Sequence, residues 1–331
     1  FPHGHHDVCQ QVALTLLDPK AYGLGYEPEM QMFYATNRPM STSDATKQFE
    51  GYKKTFNVVI DIVDTELAQL ADIVLPDLTY LESWHFFPGR WTPDRKHDAI
   101  RQPVANVYNI PHEGFSILWE LAKRLGLRDK YIENINKNWK LKDHTFQPGR
   151  DYTAKEATAL LWQDKAHKPF EYALEHGFSG KKVGAKDRYA KGVEDKFKGV
   201  GKPKMNLYAE QLVTGYEKVK ETVAKHGIKN LDLDQYRIAM SPLPTVDHAQ
   251  PTPHREAKDY PLYLVTHKTM YRNQCGNTGQ NPILNALGGT DENRVAINSA
   301  TARQLNIRNG DMVVIETRAG KAKGKARITE G

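Results

Sequence analysis

The stretch ELAQLADIVLPDLTYLESW, from Glu66 to Trp84, decides the fold of this chain. Apolar residues recur at helical spacing from Leu67 to Ala71, and a β-prone run from Ile73 to Leu75 then stops at Pro76. A helix that leads directly into a short apolar strand is typical of an α/β unit, in which helices cover the strands. The same stretch raises the question of what Tyr80, Glu82 and Trp84 do beyond the strand.

Two further strands are predicted upstream of this stretch. MQMFYAT (Met30 to Thr36) is a strand candidate, and FNVVIDIV (Phe56 to Val63) is almost continuously apolar, as in a parallel strand buried on both faces. A capped helix that runs toward Tyr52 connects them. The alternation predicts a doubly wound, Rossmann-like sheet, which binds its ligands at the carboxyl ends of its strands. These ends are Asn37 and the region from Asp61 to Thr65.

The pattern divides the chain into three parts, residues 1–127, 128–257 and 258–331. The first is the Rossmann-like region, the second is helix-rich and lysine-rich and ends in a proline-spaced linker, and the third is a small β-rich unit. The fold class is therefore α/β.

Three segments of the first two parts carry further predictions. Residues 84–104 are aromatic, rich in Pro and Gly and poorly periodic, which indicates a long loop. Residues 114–127 predict an amphipathic helix with Gly126 as its stop. MNLYA, at 205–209, predicts a strand.

The third part begins with a predicted strand, LYLVTH, at 262–267. From Arg294 onward the pattern predicts a strand, a short capped helix, a turn at Asn309-Gly310 and two more strands. Asn306 is predicted to end the helix in the left-handed conformation, which Asn tolerates.

Composition excludes several classes of protein. Residues 181–204 hold nine Lys or Arg and three Asp or Glu, an excess equal to the whole formal charge of +6. This segment could contact nucleic acid or an acidic partner, but we interpret it as a solvated, glycine-spaced loop, because it has few aromatic residues and no nucleic-acid-binding module surrounds it. Cys9 and Cys275 form no C-x-x-C pair, so this chain alone offers no zinc site and no cysteine-ligated cluster. The histidines at 3, 5 and 6 are assigned no metal, since neighbouring side chains on an extended segment point to opposite sides.

Three blocks of sequence carry a resemblance to a known family. They are TNRPMSTSD with FNVVIDIVDTELAQLADIVLPDLTYLESW, then IRQPV with ILWELAKRLGL, and finally THKTMYRNQCGNTGQNPIL with NRVAINSATARQLNIRNGDMVVIETRAGKA. Together they resemble the molybdopterin oxidoreductases of the dimethyl sulfoxide reductase superfamily. The segments HKTMYRNQ and GKPKMNLYAE look most like the polysulfide, thiosulfate, tetrathionate and arsenate reductases. The chain departs from the family pattern at Asn206, where many relatives have an acidic residue, and at Thr36 and Asn306, where glycine is common.

The resemblance implies a molybdenum or tungsten bis(molybdopterin guanine dinucleotide) cofactor, with a 4Fe-4S cluster outside this chain. It implies that the chain is the C-terminal part of a catalytic subunit, that it ends within a double-psi-like β-barrel, and that it is inactive alone. The reaction would be oxygen-atom transfer on a sulfur or arsenic oxyanion. The partners would be a ferredoxin-like iron–sulfur subunit and a membrane anchor subunit, in the periplasm or at the outer face of the cytoplasmic membrane. A formate- or nitrate-type enzyme, or a non-catalytic cofactor-binding or scaffold protein, is the alternative.

The resemblance also implies cofactor-binding residues. Asn37, Asp61 and Thr65 would hold one dinucleotide, although Asn37 and Thr65 could simply cap turns and helices. A polar loop of the third part would contact the cofactor through His267, Thr269, Arg272, Asn277, Thr278 and Asn281.

A catalytic role is predicted only for His85, as a proton donor beside a substrate funnel lined by Tyr80, Glu82 and Trp84. The alternative is that Tyr80 and Trp84 pack and Glu82 pairs with an arginine.

Overall fold

The computed structural model describes residues 11–42, 44–92, 95–182, 184, 207–229, 231–243, 259–267, 271, 281–288, 294–317 and 320–330. The helices are α1 (Gln11–Leu17), α2 (Arg38–Ser41), α3 (Ala45–Tyr52), α4 (Glu66–Leu70), α5 (Gly114–Arg124), α6 (Arg128–Trp139), α7 (Ala154–Ala166), α8 (Phe170–His176), α9 (Glu210–His226), α10 (Leu233–Ala239), α11 (Pro282–Gly288) and α12 (Ser299–Gln304). The strands are β1 (Met30–Tyr34), β2 (Phe56–Asp61), β3 (Ile73–Pro76), β4 (His85–Thr92), β5 (Arg95–Arg101), β6 (Phe178–Lys182), β7 (Arg294–Asn298), β8 (Met312–Thr317) and β9 (Gly320–Thr329).

The described residues fall into two compact units. The first unit is drawn from residues 29–36 and 55–206, and the second from residues 1–28, 37–54 and 207–331. The predicted domain boundaries after residues 127 and 257 stay a prediction.

The first unit contains the predicted parallel sheet. Its strands lie in the order β1-β2-β3 and both pairs are parallel. The central strand β2 is buried from Asn57 to Asp61, as its nearly continuous apolar run predicts. Strand order does not reverse among the described strands, so they form no doubly wound sheet, and the Rossmann-like detail stays a prediction.

The predicted loop at 84–104 is wrong, because its residues form an antiparallel hairpin of β4 and β5 that β6 extends. The pairing register shifts between Phe87 and Arg90, where the Asp98 carboxylate accepts a hydrogen bond from the Gly89 N–H at 2.6 Å. This bulge breaks the period-two alternation that would have indicated a strand. The hairpin is held by a small core in which Phe86 packs edge-on against Trp162 at 6.5 Å.

A second core of the first unit forms around Trp119 on α5, as the predicted amphipathic helix requires. The helix ends where Gly126 takes a positive φ of 69°, which confirms it as the stop.

On the neighbouring α7, one oxygen of the buried Asp164 carboxylate accepts hydrogen bonds from three consecutive N–H groups, those of residues 142–144, at 2.8, 2.9 and 3.1 Å. These bonds hold the pKa of Asp164 well below its usual value, although burial opposes them.

The second unit contains the β-rich segment predicted near the C-terminus. Strand β9 lies between β7, with which it is parallel, and β8, with which it is antiparallel. Asn306 has φ 52°, which confirms the predicted left-handed residue after α12. The predicted strand at 262–267 is wrong, since these residues form neither helix nor strand. The strands described in 294–317 and 320–330 form an open sheet, and the double-psi-like barrel stays a prediction.

Other predicted elements fall partly outside the described residues. Of the predicted strand at 205–209, residues 207–209 form no strand and the other two lie outside the description, as does most of the basic segment 181–204. No helix within the described ranges is long and apolar enough to cross a membrane.

Candidate functional site

The carboxyl edge of the parallel sheet brings together the ends of its three strands. Tyr34 ends β1, Asp61 ends β2 and Asp77 follows β3 directly. The Asp77 N–H donates to the Asp61 carbonyl oxygen at 3.0 Å, and the Ala35 N–H donates to the Ile60 carbonyl oxygen at 2.9 Å. The predicted strand-end position of Asp61 is therefore observed.

Asp61 is a buried carboxylate at this edge. Its Oδ1 accepts a hydrogen bond from the Ile62 N–H at 2.7 Å. Burial raises the pKa of Asp61, and the nearby charge of Asp77 adds to the increase, while the N–H groups of residues 62 and 63 partly oppose it. The carboxylate thus has unused acceptor capacity and would be stabilised by further hydrogen-bond donors.

Asp77 anchors the N-terminus of α5 to the sheet edge. Its Oδ1 accepts hydrogen bonds from the Gly114 N–H at 2.7 Å and from its neighbour, the Leu78 N–H, at 2.8 Å. The Tyr34 hydroxyl is hydrogen-bonded to the same carboxylate; burial and this carboxylate raise the pKa of Tyr34 to about 12.

Glu113 precedes α5 and lies beside this cluster. Burial raises its pKa to about 7, the charge of Asp77 adds to the increase, and a hydrogen bond from the Trp84 N–H and the charge of Arg101 oppose it. The side chain can therefore gain or lose a proton near neutral pH.

The role of Glu82 is now clear from its contacts. Its carboxylate accepts hydrogen bonds from the Thr79 hydroxyl at 2.7 Å, the Val107 N–H at 2.7 Å and the Tyr108 N–H at 3.4 Å. These bonds lower the pKa of Glu82. The predicted pairing of Glu82 with an arginine is wrong, because backbone and hydroxyl donors satisfy the carboxylate and Arg101 instead donates to the Ser83 hydroxyl at 2.8 Å.

The residues around Glu82 divide between packing and exposure. Trp84 packs against Phe170, with the ring centroids 5.9 Å apart, whereas Tyr80 is 64% exposed. His85 is exposed at the start of β4 and contacts the ring of Phe87 edge-on at 4.5 Å. Its catalytic role stays a prediction.

Asn37 and Thr65 both begin helices. Thr65 is buried, and its hydroxyl accepts the Ala68 N–H at 3.2 Å at the start of α4. Asn37 belongs to the second unit, is buried and precedes α2, and its carbonyl oxygen accepts the Met40 N–H at 3.2 Å. Thr65 therefore caps a helix as the alternative reading predicted, and a cofactor role for either residue stays a prediction.

The predicted cofactor loop of the third part is described only at its ends. His267 is exposed, and Asn281 begins α11, where its side-chain oxygen accepts the Ile283 and Leu284 N–H groups at 3.0 Å. The remaining candidates, Thr269, Arg272, Asn277 and Thr278, lie outside the described residues.

Sequence reasoning missed Asp77, Glu113 and Tyr34 at this site. Asp77 could have been found by the strand-end rule that identified Asp61, since it follows Pro76 at the end of β3. Glu113 gave a weaker signal, a polar residue just before a helix. In the described part of the chain, no group of three or more His, Cys, Asp or Glu side chains could hold a metal ion.

Comparison with known proteins identifies similar sequences and one similar solved structure. The family model described as the Molydopterin dinucleotide binding domain matches residues 262–331. The alpha subunit of the F420-dependent formate dehydrogenase of Methanocaldococcus jannaschii is 27% identical over 90% of this chain and 36% of its own length. The molybdopterin-containing subunit of the arsenate respiratory reductase of Chrysiogenes arsenatis is 25% identical over 96% of this chain and 39% of its own length.

A solved structure supports the fold. Acetylene hydratase from Pelobacter acetylenicus superposes with a TM-score of 0.58 at 19% identity, over 96% of this chain and 37% of the other. The chain therefore spans little more than a third of the length of each of these three proteins.

Residues 262–331 are therefore similar to a molybdopterin dinucleotide-binding domain. Over most of its length the chain is similar to molybdopterin oxidoreductases, in agreement with the resemblance that its motifs predict.

Proposed function

We propose that this chain forms a dinucleotide-binding part of the catalytic subunit of a molybdopterin-dependent oxidoreductase. The observation that carries the proposal is the buried carboxylate of Asp61 at the carboxyl end of the central strand β2. In open α/β sheets, ligands bind in the crevice outside this edge. The matched dinucleotide-binding domain at 262–331 supports a ligand of this class.

The chemistry of Asp61 fits the guanine end of the cofactor. A guanine ring presents a ring N–H and an amino group side by side, and a carboxylate can accept from both. Because burial raises the pKa of Asp61, the ionised carboxylate is short of stabilising donors, and the two guanine donors would supply them. Thr65, four positions later, could still donate its hydroxyl hydrogen while its oxygen caps α4.

The other residues of the edge would keep this acceptor in place. The Asp77 carboxylate is hydrogen-bonded to the Gly114 N–H and to the Tyr34 hydroxyl. These bonds connect the end of β3 to the end of β1 and to the start of α5. Glu113, with a pKa of about 7, could hold or release a proton at its carboxylate near neutral pH. When bound, the metal–pterin group supplies the redox chemistry, which the described side chains do not provide.

The first candidate reaction is oxygen-atom transfer on a sulfur or arsenic oxyanion. The arsenate respiratory reductase relative supports it across 96% of the chain, and so does the HKTMYRNQ segment at 267–274. In this proposal a 4Fe-4S cluster, a ferredoxin-like subunit and a membrane anchor subunit pass electrons, in the periplasm or at the outer face of the cytoplasmic membrane.

The second candidate is formate oxidation. It is favoured by the formate dehydrogenase relative, which is 27% identical over 90% of the chain. Activity with arsenate or thiosulfate against activity with formate, measured with a viologen dye on the complete metal-loaded catalytic subunit, separates the two candidates.

Nucleotide binding by the full 331-residue chain tests the proposed role of Asp61. Calorimetric titration should show tighter binding of GMP than of AMP to the wild-type chain, and D61N should lose this preference. The control D234N removes an equal charge from an aspartate whose side chain is 92% exposed, and should keep the preference. Equal binding of both nucleotides by the wild-type chain would contradict the proposal.

Elemental analysis for molybdenum and tungsten, with pterin fluorescence after oxidative release, tests for the complete cofactor.

A further inference from the structure

One face of the sheet formed by β7, β9 and β8 carries an excess of positive charge. In the central strand β9, alternate residues point to the same face, and these are Lys321, Lys323, Lys325 and Arg327. Of the three residues between them, Gly324 and Ala326 are buried on the opposite face, and Ala322 is exposed. Alternate residues of a strand are about 6.7 Å apart, so the four cations form a straight row along the middle of the sheet.

The neighbouring strands add little negative charge to this row. Lys325 lies directly opposite Arg294 of β7, which places two like charges side by side. On β8, Glu316 lies opposite Lys321 and forms an ion pair with it at 2.9 Å. Within the described residues, Lys323, Lys325 and Arg327 form no ion pair. We call Arg294, Lys321, Lys323, Lys325 and Arg327 the basic face.

Two exposed apolar side chains border the basic face. Met312 lies opposite Lys325 and is 62% exposed, and Val314 lies opposite Lys323 and is 55% exposed. Lysines on an edge strand can protect a sheet from aggregation by preventing a second chain from pairing with that edge. This role does not explain the lysines of β9, because β9 is the central strand of the sheet. At this spacing the like charges of Lys323, Lys325 and Arg327 repel one another, and an opposite charge placed against them would remove that repulsion.

We propose that the basic face is a docking surface for an acidic surface of a partner protein. Charge complementarity selects the sign of the partner, and the apolar border of Met312 and Val314 suits the mixed polar and apolar character of protein interfaces. Single-stranded nucleic acid is a poorer fit, because binding it normally uses aromatic side chains on which bases stack, and the described residues of this face include none.

Binding of a short poly-L-glutamate peptide to the full chain tests the proposal. The variant K323E/K325E/R327E should weaken binding about tenfold or more, the sum of several modest charge contacts. The matched control K54E/K130E/K225E makes the same change in net charge at exposed lysines elsewhere, and should change binding less than about twofold. Circular dichroism of both variants shows whether they fold.

Two comparisons decide the result: the basic-face variant against the control variant, and poly-L-glutamate against other anions. Equal losses in the two variants would show attraction to net charge alone and would overturn the proposal. Tighter binding to phosphatidylglycerol vesicles or to a single-stranded DNA oligonucleotide than to poly-L-glutamate, lost in the basic-face variant, would also overturn it, because the partner would then be a membrane or a nucleic acid. If K323E/K325E/R327E does not fold, the milder K323Q/K325Q should still weaken peptide binding relative to K54Q/K130Q, and equal binding by the two would contradict the proposal.

Discussion

The aromatic ring of Tyr34 lies directly against the backbone of Gly114. A Cβ atom added at Gly114 would come within 2.5 Å of Tyr34 Cε2, a separation that real side chains do not tolerate. The same two residues share the carboxylate of Asp77, which is hydrogen-bonded to the Tyr34 hydroxyl and accepts the Gly114 N–H. The absence of a side chain at position 114 therefore lets the tyrosine reach its acceptor.

Gly114→Ala should displace the Tyr34 ring and break its hydrogen bond to Asp77. We expect the free energy of unfolding to fall by about 1–3 kcal/mol, the usual range for overpacking, and the pKa of Tyr34 to fall from about 12 toward its ordinary value. Chemical denaturation and NMR titration of labelled tyrosine measure the two effects. In a Tyr34→Ala background the same change should be neutral, and an unchanged loss there would contradict the contact. Gly25→Ala, where nothing lies within 4 Å, is the control.

Glu82→Gln should loosen the segment that follows Val104. The amide group replaces one acceptor oxygen with a donor, so the hydrogen bonds from Thr79, Val107 and Tyr108 cannot all be kept. Amide hydrogen exchange at Val107 should become faster than in the wild-type chain.

The effect of Glu82→Gln should also depend on pH. The folded-state pKa of Glu82 is lowered, so its stabilisation is present above its ordinary pKa of 4.5 and is lost as the pH falls through the folded-state value. The difference from wild type should shrink in acid. Glu120→Gln, at a half-exposed glutamate of α5, should leave exchange at Val107 unchanged.

Glu113→Gln should stabilise the protein above neutral pH. The folded-state pKa of Glu113 is about 7, above its ordinary 4.5, so its contribution to stability is complete below pH 4.5 and is lost as the pH rises through 7. Glutamine imitates the protonated form and keeps an acceptor for the Trp84 N–H. The Tm of the variant should match wild type near pH 4.5 and exceed it at pH 8, and a constant difference across this range would show that Glu113 does not titrate as proposed.

Asp61→Asn should separate stability from ligand binding. Burial raises the pKa of Asp61, so the ionised form opposes folding once the pH exceeds the ordinary value of 3.8. The amide keeps an oxygen for the Ile62 N–H and removes the charge, so the Tm at pH 7 should rise while the preference for GMP over AMP disappears. A lower Tm at pH 7 would show that the ionised carboxylate is a structural requirement.

The parallel sheet could be predicted from the sequence, and the hairpin could not. The run from Phe56 to Val63 is apolar except at Asn57 and Asp61, and this local signal is enough to place a buried parallel strand. In β4 and β5, the bulge between Phe87 and Arg90 interrupts the alternation, and the strand partner is specified by packing on α7 and α8 that no local pattern shows.

The candidate site was predictable to the extent that it follows strand ends. Asp61 ends β2, Thr65 follows it, and both were identified by position. The role of Glu82 instead depends on backbone N–H groups 25 and 26 residues away. Residue types do not reveal which backbone N–H groups will donate to a given carboxylate, so an arginine partner was predicted for Glu82 instead. The same limitation hid Glu113, whose raised pKa comes from burial in the folded chain.

The carboxylate of Asp164 has a consequence for the solution behaviour of the turn that it holds. Successive N–H groups that converge on one point form a concavity that binds phosphate or sulfate in many proteins. Here the anion is a side chain of the protein itself, since the N–H groups of residues 142–144 all donate to Asp164 Oδ1. Lys165, 3.0 Å from the other oxygen, balances the charge. We therefore expect this turn not to bind phosphate or sulfate from the medium, because its three N–H groups already have an acceptor.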